Sequence, residues 1–88
     1  MRRKNWFLRH GKRVIATVID VEEHEGSVDD VMLHQYRVSA RWQDPLTERS
    51  YVYQSAWIST LPRVLHSGQS KVNVYIHPEN PEQYLFLL

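Results

Sequence analysis

The sequence predicts an all-β domain: a small five-stranded, partly open antiparallel barrel of SH3-like or OB-like shape, with at most one short helical turn. Two observations support this prediction. Short segments of alternating or β-branched residues recur along the chain, and turn signals rich in Gly, Pro and Asp separate them. Closing such a sheet would also protect its edge strands.

The first strand is predicted from Val14 to Glu22, shortly after Gly11. Its residues are β-branched at nearly every position and apolar on both faces as far as Ile19, which is typical of a central or strongly curved strand. The following segment, 23–33, contains a glycine and a cluster of acidic residues. It predicts a long, exposed connection.

The clearest alternating strand runs from Tyr36 to Gln43, with apolar residues at every second position. Asp44 to Thr47 is predicted to be a turn, because Pro45 pre-sets φ. Residues 48–54 then return as the partner strand of a hairpin.

The second half of the chain predicts little helix. Residues 55–67 are predicted to be irregular or one helical turn, because Pro62 would interrupt anything longer. Gly68 opens a turn before the strand Lys71 to His77, whose valines and isoleucine alternate with polar residues. Pro78 and Pro81 end that strand, since proline cannot donate to a ladder. Residues 83–88 offer a last short strand.

The predicted core takes the apolar side of each of these strands. It consists of Ile15, Val18, Ile19, Tyr36, Val38, Ala40, Trp42, Val72, Val74 and Ile76.

Length and charge divide the chain into two predicted regions, a basic N-terminal arm (1–13) and a single β-barrel domain (14–88). Eighty-eight residues leave no room for a second domain. The net charge of +1 hides an asymmetry, because six Lys and Arg residues precede the first acid, Asp20. Six of the ten acids then fall between Asp20 and Asp30, which predicts a solvated strand end and loop.

No pattern of metal, cofactor or catalytic residues is found. The absence of cysteine excludes disulfides and thiolate metal sites. The five histidines do not form an H-x-x-x-H pair, and the serines lack a recognisable nucleophile elbow. The sequence therefore predicts a protein that is not an enzyme and that needs neither metal nor cofactor.

Three segments occur together in a familiar order: Gly11 to Val18, Tyr36 to Ala40 and Gly68 to Pro81. They resemble the G-x-x-x-x-A-x-V-like opening strand and the G-x-x-V-x-V-x-Y-x-P-like closing strand of the membrane-tethered domain-of-unknown-function family numbered three-five-nine-two. The resemblance implies a small β domain that works beside a membrane and has no catalytic residues. A basic segment such as Arg2 to Lys4 would then be juxtamembrane, which favours the cytoplasmic side. Met1 predicts an ordinary start with little missing upstream.

The expected function is that of a non-catalytic interaction module, which binds a protein and is associated with a membrane assembly. Two aromatic residues beside six cations suggest that the arm is an interfacial anchor. The membrane or partner surface is predicted at Arg2, Arg3, Lys4, Trp6, Phe7, Arg9, Lys12 and Arg13.

The alternative is an OB-like domain that binds single-stranded nucleic acid by stacking and phosphate contacts. Its surface is predicted at Arg37, Arg41, Arg49, Tyr51, Tyr53 and Trp57. An unpaired edge strand, or the apolar segment 84–88, offers a further route to a protein partner or a homodimer.

Overall fold

The computed structural model describes residues 2–66 and 70–88. This part of the chain forms one α-helix, five β-strands and one 3₁₀ turn. The elements are α1 Arg2–His10, β1 Lys12–Val28, β2 Val31–Gln43, β3 Ser50–Gln54, the 3₁₀ turn Arg63–His66, β4 Lys71–His77 and β5 Asn80–Phe86. The turn predicted at Gly68 lies outside the described residues.

The five strands belong to one antiparallel sheet in the order β3-β2-β1-β4-β5. No ladder joins β3 to β5 within the described residues, so the sheet is not closed. The predicted fold class, a small five-stranded, partly open all-β domain, is confirmed. The helix content differs from the prediction, since α1 spans nine residues and is more than a single turn.

Strand β1 holds the sheet together because it pairs with different neighbours along its length. Its first part, Lys12 to Thr17, pairs with β4, and Thr17 to Val28 pairs with β2. The register with β2 shifts between Val18 and Asp20, which leaves Ile19 as an extra residue. Such a bulge bends a strand and increases its twist. The core therefore lies between the two halves of the sheet that meet at this corner.

The core prediction for β1 was right for Val18 and wrong for Ile15 and Ile19. Val14, Ala16 and Val18 are buried, whereas Ile15 and Ile19 are 60% and 53% exposed. Both faces of this strand are apolar in sequence, so alternation alone could not decide which face is buried. Ile15 lies on the outer face, and Ile19 is the additional residue at the bulge.

Most of the other predicted core residues are buried, and several core residues were missed. Val38, Ala40, Val72, Val74 and Ile76 are buried as predicted, while Tyr36 and Trp42 are half-buried. In the described part of the chain, the buried apolar and aromatic residues absent from the prediction are Phe7, Val14, Ala16, Tyr53 and Leu65.

Tyr84 partly closes the gap between the two edge strands. Its hydroxyl accepts a hydrogen bond from the backbone N–H of Gln54 at 3.1 Å and lies 3.2 Å from the carbonyl oxygen of the same residue. Its ring also packs on Tyr53, with ring centroids 4.7 Å apart. One side chain of β5 thus provides contacts to β3 that a strand ladder would otherwise supply.

The segment predicted to be a long connection, residues 23–33, is instead a continuous β-hairpin. Ladder pairs run without interruption from Glu23 and Tyr36 to Val28 and Val31. Asp29 and Asp30, with φ of 52° and 64°, form the two-residue turn. Positive φ at both central positions is the requirement of a type I′ turn, which Asp tolerates better than most residues. The segment was predicted to be a connection because it is rich in acidic residues and exposed.

Helix α1 packs against β4 and β5. Its residues are mostly good helix formers, and Arg9 and His10 in the last turn complement the helix dipole. Phe7 is only 3% exposed, so the helix has a buried apolar contact of its own. At the end of the helix, the N–H of Gly11 donates to the carbonyl of Phe7 at 2.9 Å. These contacts explain why the predicted arm forms an ordered helix.

Replacing Gly11 with alanine is expected to destabilise the fold by about 2 kcal/mol, the usual cost of overpacking. A Cβ atom at this position would lie 2.5 Å from the carbonyl oxygen of Phe7 and 3.2 Å from that of Ile76. Both are backbone atoms, so neither can rotate away. Urea denaturation of Gly11→Ala should show a lower midpoint with an unchanged slope.

Gly26→Ala is the matched control, because its Cβ would meet only the tip of the His24 side chain at 3.8 Å. Equal midpoints for the two variants would contradict a tight junction between helix and sheet.

Candidate functional site

The predicted basic surface lies at one end of the molecule, on α1 and the start of β1. We call residues 2–13 the basic end. Lys4 and Arg9 are exposed on the helix, and Lys12 and Arg13 are exposed on β1. The backbone of Arg2 and Arg3 belongs to the first turn of α1. The ammonium of Lys12 lies 5.8 Å from the ring centre of Trp42, at the edge of cation–π range.

Trp6 and Phe7, predicted to be a pair of surface anchors, have different environments. Phe7 is buried, so its assignment to the surface is wrong: consecutive helical residues point in different directions, and Phe7 points to the sheet. Trp6 is 38% exposed and stacks on His77, with ring centroids 4.9 Å apart. An open depression of about 420 Å³ is lined by Trp6, Phe7, His77 and Gln83.

The residues predicted to bind nucleic acid do not form one surface. Tyr51 and Tyr53 face the core side of the sheet, because Tyr53 pairs with the buried Ala40. Arg41 pairs with the exposed Val52 and therefore lies on the outer face. Arg49 precedes β3 and is exposed. Tyr53 is 1% exposed, so its ring cannot stack on a base.

On the outer face, Arg37 is held by two neighbours. Its guanidinium donates two hydrogen bonds to Glu22, at 2.9 and 3.1 Å, and stacks 4.7 Å from the ring centre of Trp57. The Trp57 ring also contacts His24, with ring centroids 6.0 Å apart. A carboxylate already neutralises the charge of this arginine, which weakens any role in phosphate binding. The sequence prediction missed Glu22, whose position opposite Arg37 depends on the register after the bulge.

The aromatic residues on the core side form a continuous stack. Ring centroids are separated by 6.0 Å between Trp42 and Tyr51, 6.3 Å between Tyr51 and Tyr53, and 4.7 Å between Tyr53 and Tyr84. The Tyr53 hydroxyl is buried without a hydrogen-bond partner among the described residues. Burial raises the pKa of Tyr53 from 10.0 to about 12, with smaller contributions from Tyr51 and Tyr84. This stack is structural.

The distal part of the β1–β2 hairpin extends beyond the core. We call residues 19–35 the hairpin arm. Strand β4 pairs with β1 only as far as Thr17, followed by one hydrogen bond from Val18 to Ser70. On the other side, residues 55–58 cover the edge of β2 up to Tyr36. Within the described residues, the arm beyond these points is therefore a two-stranded ribbon with both edges free.

The end of the hairpin arm is apolar and exposed, which the sequence prediction missed. We call Val28, Val31, Met32 and Leu33 the apolar tip; their exposures are 59%, 57%, 61% and 44%. Val28 and Val31 form a cross-strand pair beside the turn. The signal in the sequence was an apolar residue on each side of Asp29-Asp30, a pattern typical of a two-residue hairpin.

Three side chains on the hairpin arm could hold a cation. The Nδ1 atom of His34 lies 3.2 Å from Glu23 Oε1 and 3.6 Å from Glu25 Oε1. All three residues are exposed, and their potential ligand atoms lie within 4.8 Å of one another. Exposed clusters of this kind are also common as simple ion pairs.

The chain has no match among family models, curated proteins or solved structures. The resemblance to the membrane-tethered family numbered three-five-nine-two therefore stays a prediction. In the described part of the chain, no helix has both the length and the apolar character needed to span a bilayer.

Replacing Tyr53 with phenylalanine is expected to leave the free energy of unfolding at pH 7 unchanged, or to raise it by about 1 kcal/mol, because a buried hydroxyl without a partner is removed. At high pH the variant should be the more stable protein. The pKa of Tyr53 is about 12 in the folded protein, above its ordinary value of 10.0, so the unfolded chain loses its proton first. The wild type should therefore lose about 2 kcal/mol relative to the variant between pH 10 and 12.

Urea denaturation of both proteins across this pH range measures the difference. Parallel stability curves would show that the Tyr53 hydroxyl titrates normally.

Proposed function

We propose that this chain is a non-catalytic interaction module that binds a protein through its hairpin arm. The observation that carries the proposal is the exposed apolar tip at the end of a ribbon with two free edges. Exposed apolar groups close together mark interaction sites, and a free strand edge can accept an extended segment of a partner.

The charges around the tip define the partner more closely. The hairpin arm carries six Asp and Glu residues and neither Lys nor Arg. Five of the six, all except Glu22, are exposed. A protein surface that combines Lys or Arg side chains with an apolar patch is therefore complementary to this arm, because buried interface cores are apolar and charged rims steer association.

The acidic charge also favours protein over nucleic acid as the ligand of this arm, because phosphates would be repelled. The nucleic-acid alternative has less support than the sequence suggested, since its predicted residues divide between two faces of the sheet. The proposed role accordingly requires no stacking platform on the core side.

A photoreactive benzophenone amino acid at Met32 tests the protein-binding proposal in cells that naturally express the chain. Met32 is 61% exposed within the apolar tip. We expect irradiation to produce a discrete protein adduct at this position. The adduct should disappear when Asp20 and Glu25 are both replaced with lysine, because the basic partner surface is then repelled.

The same probe at Leu46 is the control, since Leu46 is 86% exposed and lies in the turn before β3, at the opposite end of β2 from the apolar tip. Equal adducts at the two positions, or no adduct at Met32, would overturn the proposal.

The second part of the proposal is association with a membrane assembly, on its cytoplasmic side, through the basic end. Trp6 and Leu8 are 38% and 44% exposed beside the cations of α1. Aromatic and basic side chains together suit the boundary of an anionic leaflet. Deleting the helix is a poor test, because it also removes the buried Phe7.

Lys4→Gln with Arg9→Gln should weaken binding to anionic phosphatidylserine vesicles roughly 30-fold, from about 1 kcal/mol per cation near the surface. Co-sedimentation with vesicles measures the loss. The control, Arg49→Gln with Arg63→Gln, removes the same charge from exposed positions elsewhere. An equal loss in the control would show that only net charge matters and would contradict a membrane role for the basic end.

A further inference from the structure

We propose that two copies of this chain associate side by side in antiparallel orientation, with the hairpin arm of each lying along the basic end of the other. This inference rests on the proposed function, because it names the partner of the same hairpin arm. It is carried by two surfaces of opposite charge that a single chain cannot bring together.

The two surfaces are matched in number of charges. The basic end holds six Lys and Arg residues and no acid, whereas the hairpin arm holds six acids and neither Lys nor Arg. Of the six acids, Glu22 is already paired with Arg37. The other five are exposed. Two of them, Glu23 and Glu25, contact the imidazole of His34, at 3.2 and 3.6 Å. On the basic end, Lys4, Arg9, Lys12 and Arg13 are exposed as well.

The fold holds these surfaces apart. Strand β1 begins at the basic end and runs for 17 residues to the hairpin turn. At about 3.3 Å per residue, a strand of this length covers roughly 50 Å. The longest dimension of the molecule is 49 Å, so the basic end and the apolar tip lie far apart. Even Arg13 and Asp20, the nearest charges along β1, are separated by seven residues, or about 23 Å of extended strand. Screening in physiological salt acts over about 8 Å, and the ends therefore cannot neutralise each other within one chain.

An antiparallel pair of chains brings the opposite charges into contact. Each hairpin arm then meets a basic end, and the two contacts are related by a two-fold axis. Such an arrangement is closed, so the assembly stops at two copies, whereas head-to-tail contacts would continue into chains.

Exposed apolar side chains are present on both surfaces. The apolar tip provides Val31 and Leu33, and the basic end provides Leu8 and the exposed part of Trp6. These groups give the contact an apolar component in addition to its charges, and burying them stabilises association. The occupant that the hairpin arm requires, a basic surface with an apolar patch, is thus present on the chain itself.

Charge exchange between the two surfaces tests the inference. One variant carries Arg9→Glu with Arg13→Glu, and the other carries Asp20→Lys with Glu25→Lys. All four side chains are exposed, and circular dichroism confirms that each variant is folded. Sedimentation velocity at low ionic strength should show wild type at twice the 10.5 kDa mass of the chain. Each variant alone should dimerise at least about tenfold more weakly, because like charges then face each other.

An equimolar mixture of the two variants should restore the dimer. In the mixed pair, both contacts again join opposite charges, so recovery cannot be explained by net charge or by damage to the fold. The control variant, Arg49→Glu with Arg63→Glu, reverses two exposed cations outside both surfaces and should dimerise like the wild type. Raising the salt to about 1 M should weaken the wild-type dimer, since screening then acts over about 3 Å.

A monomeric wild type, a mixture that stays monomeric, or species larger than a dimer would each overturn the inference. The adduct at Met32 separates this failure from failure of the proposed function. A monomeric chain that still forms a Met32 adduct with another protein retains its role as a protein-binding module, while the absence of any Met32 adduct removes both proposals.

Discussion

The dual pairing of β1 is the constraint on which the rest of the structure depends. One continuous strand bonds to β4 through its first part and to β2 through the remainder, so it belongs to both halves of the sheet. The bulge at Ile19 lies where the pairing changes. Because a bulge bends its strand, the two halves can face each other and enclose Val14, Ala16 and Val18. Tyr84 then links the outer strands without a further ladder.

The same strand also determines the shape of the molecule. Strand β1 packs against the core only as far as about Val21, yet its ladder with β2 continues to Val28. The residues of β1 beyond Val21 lie outside the core and form most of its share of the hairpin arm, which accounts for the elongated dimensions of 49 by 31 by 18 Å. A two-stranded ribbon is marginally stable by itself in water. Here the ribbon is stabilised by its continuity with the packed part of the sheet and by the Asp29-Asp30 turn. Burial of its exposed apolar tip against another surface would stabilise it further.

Sequence periodicity predicted those elements in which one face is apolar and the other polar. Val72, Val74 and Ile76 are the clearest example, and all three are buried. Where both faces are apolar, as around Ile15, the choice of face was set by pairing with strands distant in sequence. Residues 23–33 of the hairpin arm were wrongly predicted to be a connection, because they form a strand ladder while most of their side chains stay exposed. The helix was missed because its stability comes from Phe7 packing on the sheet, a tertiary contact.

The fold determines whether the basic and acidic segments of the chain can contact each other. In sequence, the basic arm and the acidic segment are separated by only a few residues and could be expected to attract each other. Those intervening residues are part of an extended strand, so the two charged segments are held apart within one chain, and we propose that they meet between two copies of it. Each end then acts through its own local field, since the distance between them exceeds the screening length several-fold. The net charge of +1 describes neither end. A membrane surface and a second copy of the chain would compete for the same cations, but only the second copy offers acids and apolar side chains in a fixed arrangement.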